Sequence, residues 1–439
     1  MTDPASLTIA EAARAIQRRE LAPTELTRAC LDRIARLNPQ LNAFVLVTAE
    51  RALADAARAE EELRAGIYRG PLHGIPWGAK DLFATRGIRT TWGAKPFENQ
   101  VIDEDATVVR RLDEAGAVLV AKLTLGALAQ GDVWFGGQTK NPWKLDQGSS
   151  GSSAGSAAAT VAGLVGFAIG TETLGSIVSP CTRCGASGLR PTFGRVSRYG
   201  AMALSWSMDK IGPICRTAED CALVFQAILG PDGKDPTVQD VPFDWDPGLR
   251  LADLRIGYLK SAFEAEHETK RFDDAVLETL RALGARLVPF ELPDRYPVPP
   301  LRIILNAEAA AAFDELTRSG RADLIERSSW PNSFRAARFI PAVEYIQANR
   351  IRTLLMAAMD EAMRELDVVV APTFAQNLLL ITNLTGHPAV VVPSGFTDAG
   401  TPVSITFIGR LWGEAKALAA ARAYQEATDF HTRRPPAFA

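Results

Sequence analysis

Along the first 65 residues, apolar side chains recur at helical rather than strand spacing. Thr8-Ile-Ala-Glu11 has the spacing of a capping box, in which Thr8 and Glu11 each take a backbone N–H at a helix start. Thr24 to Leu37 carries Leu26, Cys30, Ile34 and Leu37 on one face, and Asn38-Pro39 is expected to end that helix. A third helix, rich in alanine and charge, is expected over 52–65. From Ile75 the pattern changes to short apolar runs separated by amphipathic segments. Strands are expected at 75–79, 117–121, 167–170, 254–259, 286–290, 367–371, 389–392 and 403–408. Helices are expected near 105–115, 152–165, 217–229, 272–283 and 340–366. This alternation predicts an α/β fold, a large sheet covered by helices on both faces. The Pro-rich passage 292–300 is the best boundary candidate, but strands resume beyond it. We therefore expect one domain over 1–439: N-terminal helices to 70, a core over 71–230, and the rest of the sheet over 231–439, with a helical insertion at about 301–349.

Composition narrows the chemistry. The chain has 439 residues, 47% hydrophobic and 23% charged, the balance of a globular protein. Its 48 basic and 51 acidic side chains leave no electrostatic footprint for nucleic acid. No basic segment followed by an apolar one opens the chain, and the weakly polar stretch 157–170 is too short to span a bilayer. Five cysteines form no disulfide framework, which suits a reducing compartment, so a soluble cytoplasmic protein is expected. Cys181-Thr-Arg-Cys184 lacks the second pair a zinc site needs, and two buried thiols are the simpler reading. Only four histidines are present, His73, His267, His387 and His431. A His-rich metal site is nearly excluded, and a Ser-His-Asp hydrolase requires one of these four to be well placed.

Two segments stand out. Gly148 to Ala159 is a run of glycine, serine and alanine that leads directly into an expected helix and strand, so it is ordered rather than a linker. A Gly-rich turn at a helix start gathers free N–H groups suited to an anion or oxyanion. No Gly-Lys-[Ser/Thr] and no Gly-x-Gly-x-x-Gly occurs there, which excludes a nucleotide loop. The second segment, Gly170 to Pro180, presents Ser176 after Gly175 at a tight turn following a strand, with no histidine nearby in sequence.

These segments, with Cys184-Gly-Ala-Ser-Gly-Leu-Arg-Pro-Thr192, resemble the amidase signature family. Gly74-Ile-Pro-Trp-Gly-Ala-Lys80-Asp81, Asn141-Pro-Trp143, Asp209-Lys-Ile-Gly-Pro213, Gly386-His-Pro-Ala389 and Phe407-Ile-Gly-Arg410 extend the resemblance over nearly the whole chain from about Thr24. It implies the amidase signature fold, a large mixed β-sheet, and hydrolysis of carbon–nitrogen bonds by a Ser–cis-Ser–Lys triad without metal or organic cofactor. The match assigns Lys80 as base, Ser152 as relay and Ser176 as nucleophile. The family's relay lies 24 positions before the nucleophile, which selects Ser152 among its neighbouring serines. A cis peptide is implied at Gly151–Ser152, and an oxyanion hole from the N–H groups of Thr173, Leu174, Gly175 and Ser176. Lysine serves as a base only when neutral, which requires burial to lower its pKa by several units. The chain departs from the pattern at Leu174, where a glycine is usual, at Glu172 for aspartate, and at Val178 for arginine. A charged pair beside the nucleophile is thus expected to be altered or missing. The histidines are expected to be structural.

Residues 123–138 offer Leu125, Leu128, Gln130, Val133, Trp134 and Phe135, and Trp206 comes from a later loop. We expect Leu125, Leu128, Gln130, Trp134 and Trp206 to shape an apolar pocket that favours aryl or alkyl amides and carbamates (urethanes). The expected partner is then a small-molecule amide or carbamate, with no nucleic acid and no membrane, and a homodimer is possible. The alternatives are the glutaminase subunit of a tRNA-dependent amidotransferase, and a non-catalytic scaffold that keeps the fold.

Overall fold

The structure, a computed structural model, describes residues 3–439. The strands are β1 (Phe44–Val47), β2 (Pro76–Lys80), β3 (Val118–Leu123), β4 (Val133–Trp134), β5 (Gly137–Gln138), β6 (Lys140–Asn141), β7 (Lys144–Gly148) and β8 (Phe167–Glu172). They continue with β9 (Ser187–Arg190), β10 (Lys210–Cys215), β11 (Ile256–Leu259), β12 (Leu287–Phe290), β13 (Val368–Pro372), β14 (Ala389–Phe396) and β15 (Pro402–Gly409). Eleven of them form one mixed sheet in the order β1-β3-β2-β8-β10-β9-β14-β15-β13-β11-β12, while β4-β5 and β6-β7 are separate hairpins. Strand β2 lies between β3 and β8 and is parallel to both; β10 is antiparallel to β8 and β9.

Both faces of the central strands are covered. Phe167 and Ile169 of β8 join one apolar cluster and Ala168 joins the other; on β3, Leu119 takes the first side and Val118 and Val120 the second. This is the alternation of a pleated strand buried on both faces. A third cluster packs the insertion between β12 and β13 onto the far end of the sheet. That insertion holds the helices Ile303–Ala312, Asp314–Arg318, Trp330–Ala337 and Ala342–Met363.

Local signals worked where the chemistry is local. The capping box at Thr8 and Glu11 is formed. The second helix, however, runs Pro23–Leu41 through Pro39 and stops at Asn42 in the left-handed region, φ 52. Proline removes only one bond when it sits in the last turn, and one more turn buries Leu41 completely. The helix expected from Ser152 begins at Ala154, which leaves Ser152 on the loop ahead of it. Among the described residues, no helix is long and apolar enough to cross a membrane.

Candidate active site

Strand β2 ends on Lys80, which is fully buried. Its Nζ lies 2.8 Å from Ser152 Oγ, 3.0 Å from Ser153 Oγ and 2.8 Å from Thr171 Oγ1. No carboxylate lies within ion-pair distance of this nitrogen among the described residues. Burial pulls its pKa from 10.5 down to about 7, and the negative charges of Asp209 and Glu172 oppose that shift only in part. Near neutral pH an appreciable fraction is therefore a free amine, with two N–H bonds and one lone pair. Its neighbours narrow where the lone pair points. Ser153 Oγ already donates to Thr171 O at 3.2 Å and accepts the Thr171 N–H at 3.2 Å. Ser152 Oγ and Thr171 Oγ1 donate to no other acceptor among the described residues, so either hydroxyl can give its proton to Lys80. Sequence motifs brought out Lys80 and Ser152; Ser153 and Thr171 carry no such signal, because only the β2–β8 pairing brings Thr171 beside Lys80.

The peptide bond Gly151–Ser152 is cis. Gly151 has no room for a side chain, since a Cβ would lie 1.9 Å from Gly131 O. The serine loop is tied to the turn at Ser176 by the Ser153 N–H, which donates to Ser176 O at 3.1 Å. Gly175, φ 88, takes the left-handed conformation that sharpens this turn, and a Cβ there would come within 2.9 Å of Ser179 Oγ. The N–H groups of Thr173, Leu174, Gly175 and Ser176 donate to no acceptor among the described residues. The next two, of Ile177 and Val178, donate to Glu172 Oε2 at 2.8 and 2.9 Å.

The charged pair expected to be altered or missing is present with another partner. Glu172 Oε1 accepts from Arg190 Nη1 at 2.9 Å and from Asn383 Nδ2 at 2.8 Å, all fully buried. Arg190 reaches Glu172 from β9, two strands away in the sheet. These contacts outweigh burial and hold the Glu172 carboxyl at about 2. On the other side of the turn, Thr173 Oγ1 donates to Asp209 Oδ1 at 2.6 Å.

A cavity of about 500 Å³ opens beside the turn, with Thr171, Thr173 and Ala129 on one wall and Met202, Leu204 and Trp206 on another. Of the five residues expected to bind substrate, Trp206 lines this cavity. Leu125 and Leu128 are fully buried in the main apolar cluster. Trp134 lines a different cavity with Leu324 and Ile325. Gln130 is held by Ser328 and Ser329, so it fastens the loop to the insertion. The four histidines find local partners or burial instead. His73 sits 3.0 Å from Glu62, His387 bonds Thr385 and is buried to a pKa of about 4, and His267 lies 3.7 Å from Asp273. Burial also lowers the pKa of His431.

Residues 25–381 match the amidase family model. Over 98% of both chains, the sequence is 37% identical to a glutamyl-tRNA(Gln) amidotransferase subunit of Geobacter metallireducens. Its Pseudomonas aeruginosa counterpart is also 37% identical, over 98% of this chain and 99% of the other. Among solved structures, a peptide amidase bound to the competitive inhibitor chymostatin superposes with a TM-score of 0.88 at 32% identity over 98% of both chains. A bacterial aryl acylamidase at 24% identity, with a TM-score of 0.87 over 98% of this chain and 99% of the other, shares the fold. The amidotransferase relatives correct the expectation that the partner is a small-molecule amide or carbamate alone, with no nucleic acid. They are subunits of an enzyme named for a tRNA-linked substrate. Net charge could not have shown this, because the charge of one subunit reports only its own surface and another subunit can hold the nucleic acid.

Proposed function

The chain belongs to the amidase signature family of enzymes that act on carbon–nitrogen bonds, and from that premise we propose that it is the glutamine-hydrolysing subunit of a tRNA-dependent amidotransferase. Full-length similarity to the amidotransferase subunits supports this reading. For the chemistry, the observation that carries the proposal is Lys80, buried without a carboxylate and 2.8 Å from Ser152 Oγ. Neutral Lys80 accepts the Ser152 proton as Ser152 accepts that of Ser176, and Ser176 Oγ attacks the amide carbonyl. The tetrahedral oxyanion takes the free N–H groups of residues 173–176. Collapse breaks the carbon–nitrogen bond, the proton returns through Ser152 to the departing nitrogen, and ammonia leaves an acyl-Ser176. Water, deprotonated by the same relay, then releases the carboxylate and restores the serine.

A second reading, turnover of aryl or alkyl amides and carbamates, draws on Met202, Leu204 and Trp206 in the cavity wall, but Arg198, Lys234 and Asp235 line the same cavity and suit the charges of glutamine, which favours the first. Ammonia release from glutamine, and turnover of anilides and carbamates, each assayed with and without the other subunits, separates the two. Glutamine turnover that rises when the subunits are added supports the first. Anilide or carbamate turnover with no glutamine hydrolysis under either condition overturns it.

A further inference from the structure

The loop 204–209 joins the insertion to the turn at Ser176. Asp209 clamps its near end. One carboxylate oxygen accepts the Thr173 hydroxyl at 2.6 Å, and the other accepts the N–H groups of Leu204 and Ser205 at 2.8 and 2.9 Å. The middle of the loop is held from the insertion. Buried Glu308, on the helix Ile303–Ala312, accepts from Ser205 Oγ at 2.5 Å, Ser207 N at 3.1 Å, Ser207 Oγ at 2.8 Å and Tyr345 OH at 2.8 Å. Arg352, on the helix Ala342–Met363, donates to Ser207 Oγ and O, both at 2.7 Å, and to Leu384 O at 2.6 Å. Leu384 follows Asn383, which holds Glu172 behind the same turn. Trp206 stands on this loop and lines both the 500 Å³ cavity and a second one of about 690 Å³ in the insertion.

Resting on the reading of residues 173–176 as the oxyanion turn, we infer that Asp209 is a positioning residue for that turn and that Glu308 holds its loop in place from the insertion. The clamp acts on Thr173 through a side chain, so the backbone N–H groups aimed at the developing oxyanion keep their direction without the clamp touching substrate. Such an arrangement affects the tetrahedral state more than the bound substrate, so its loss lowers kcat rather than raising KM.

The test uses the best amide of the substrate panel, with benzeneboronic acid as a probe that forms a tetrahedral serine adduct. Thr173→Val and Asp209→Ala are each expected to lower kcat about tenfold with KM within about twofold, the size of one lost hydrogen bond in a buried site. The boronate affinity should fall by the same factor, which a general loss of packing would not produce. The double variant should be no worse than either single one, and Glu308→Ala, about threefold slower alone, should add little to Asp209→Ala. Asp209→Asn should retain most of the rate, because a flipped amide still accepts from Leu204 and Ser205 while donating to Thr173 Oγ1. If Asp209→Ala fails to fold, Thr173→Val and Asp209→Asn carry the test. Additive losses, or a higher KM with unchanged boronate affinity, overturn the inference. A fluorophosphonate adduct separates the two levels: a parent chain not labelled at Ser176 removes the reading and the inference together. A labelled parent whose variants keep their rate removes the inference alone.

Discussion

Two lysines, fully buried on adjacent parallel strands, have opposite surroundings. Lys80 ends β2, while Lys122 sits on β3 opposite Ala79, the residue before it. Lys122 Nζ lies 3.0 Å from the Asp81 carboxylate, and it also donates to Phe83 O and Thr90 Oγ1. Lys80 has hydroxyls and a carbonyl but no carboxylate. Burial lowers the pKa of both, and only at Lys122 does a directly paired anion oppose it. The same side chain at nearly the same depth is thus a structural cation in one place and a candidate base in the other. A carboxylate within bonding distance decides which.

Replacing each lysine with an isosteric apolar residue tests that contrast most strongly. Lys80→Met is expected to lower kcat about 10,000-fold, as removal of a general base from a serine hydrolase does. It should still fold, since the hydroxyls around it can bond one another; denaturant melts measure this. Lys122→Met should do the reverse and cost about 3–5 kcal/mol of stability, because Asp81 is left as an unpaired buried charge. The rate per folded molecule should barely change, and Asp81→Asn in the same chain should recover much of the loss. A Lys122→Met chain that is stable but inactive would break the comparison.

Glu172 extends the contrast to an anion that is fully paired. Glu172→Gln should cost about 2–3 kcal/mol in chemical denaturation, since charge-assisted bonds to Arg190 and to two backbone N–H groups weaken. Its folded pKa, near 2 against 4.5, gives stability that is complete above 4.5 and is lost as pH falls toward 2, and this variant should flatten that acid limb.

The pH–rate profile is the next and smaller effect. With Lys80 at about 7, kcat/KM should fall about tenfold for each pH unit below 7 and level off above it. The linkage has its own sign. An unfolded lysine near 10.5 holds a proton that the folded one has lost, so stability should rise with pH between about 7 and 10.5. Lys80→Met should remove that rise, as melts across the range would show. The smallest expected change is Leu174→Gly. Its half-buried side chain packs on the C-terminal cluster while its N–H stays in place, so the rate should move by no more than about threefold.

How much of this was visible in the sequence follows from where each signal resides. Eight strands announce themselves as apolar runs; for β2, β3 and β13 the reason is that every residue is buried, which leaves little else. Strands β1, β9 and β10 are not among them. Ser187–Arg190 has no β-branched residue, and Lys210–Cys215 carries Gly212 and Pro213, which read as a turn. In the fold, Gly212 is required, since a Cβ would lie 2.0 Å from Leu189 O on the neighbouring strand. The site divides in the same way. Lys80, Ser152 and Ser176 could be picked out from motifs and their spacing, whereas Leu125 and Leu128, apolar in an apparently pocket-forming segment, turned out to be core. An apolar residue looks the same in sequence whether it faces a ligand or the interior.

The family and the candidate reacting side chains were legible as residue types at fixed separations along one chain, and the mixed sheet followed from the resemblance to that family. The folded chain adds the pairing of Arg190 with Glu172, the three hydroxyls of Ser152, Ser153 and Thr171 around Lys80, and the hold of Asp209 and Glu308 on the loop beside the turn. Each of these depends on distances across strands and helices far apart in sequence. At those distances burial and the nearest charge, rather than the identity of the residue, set its protonation and its role.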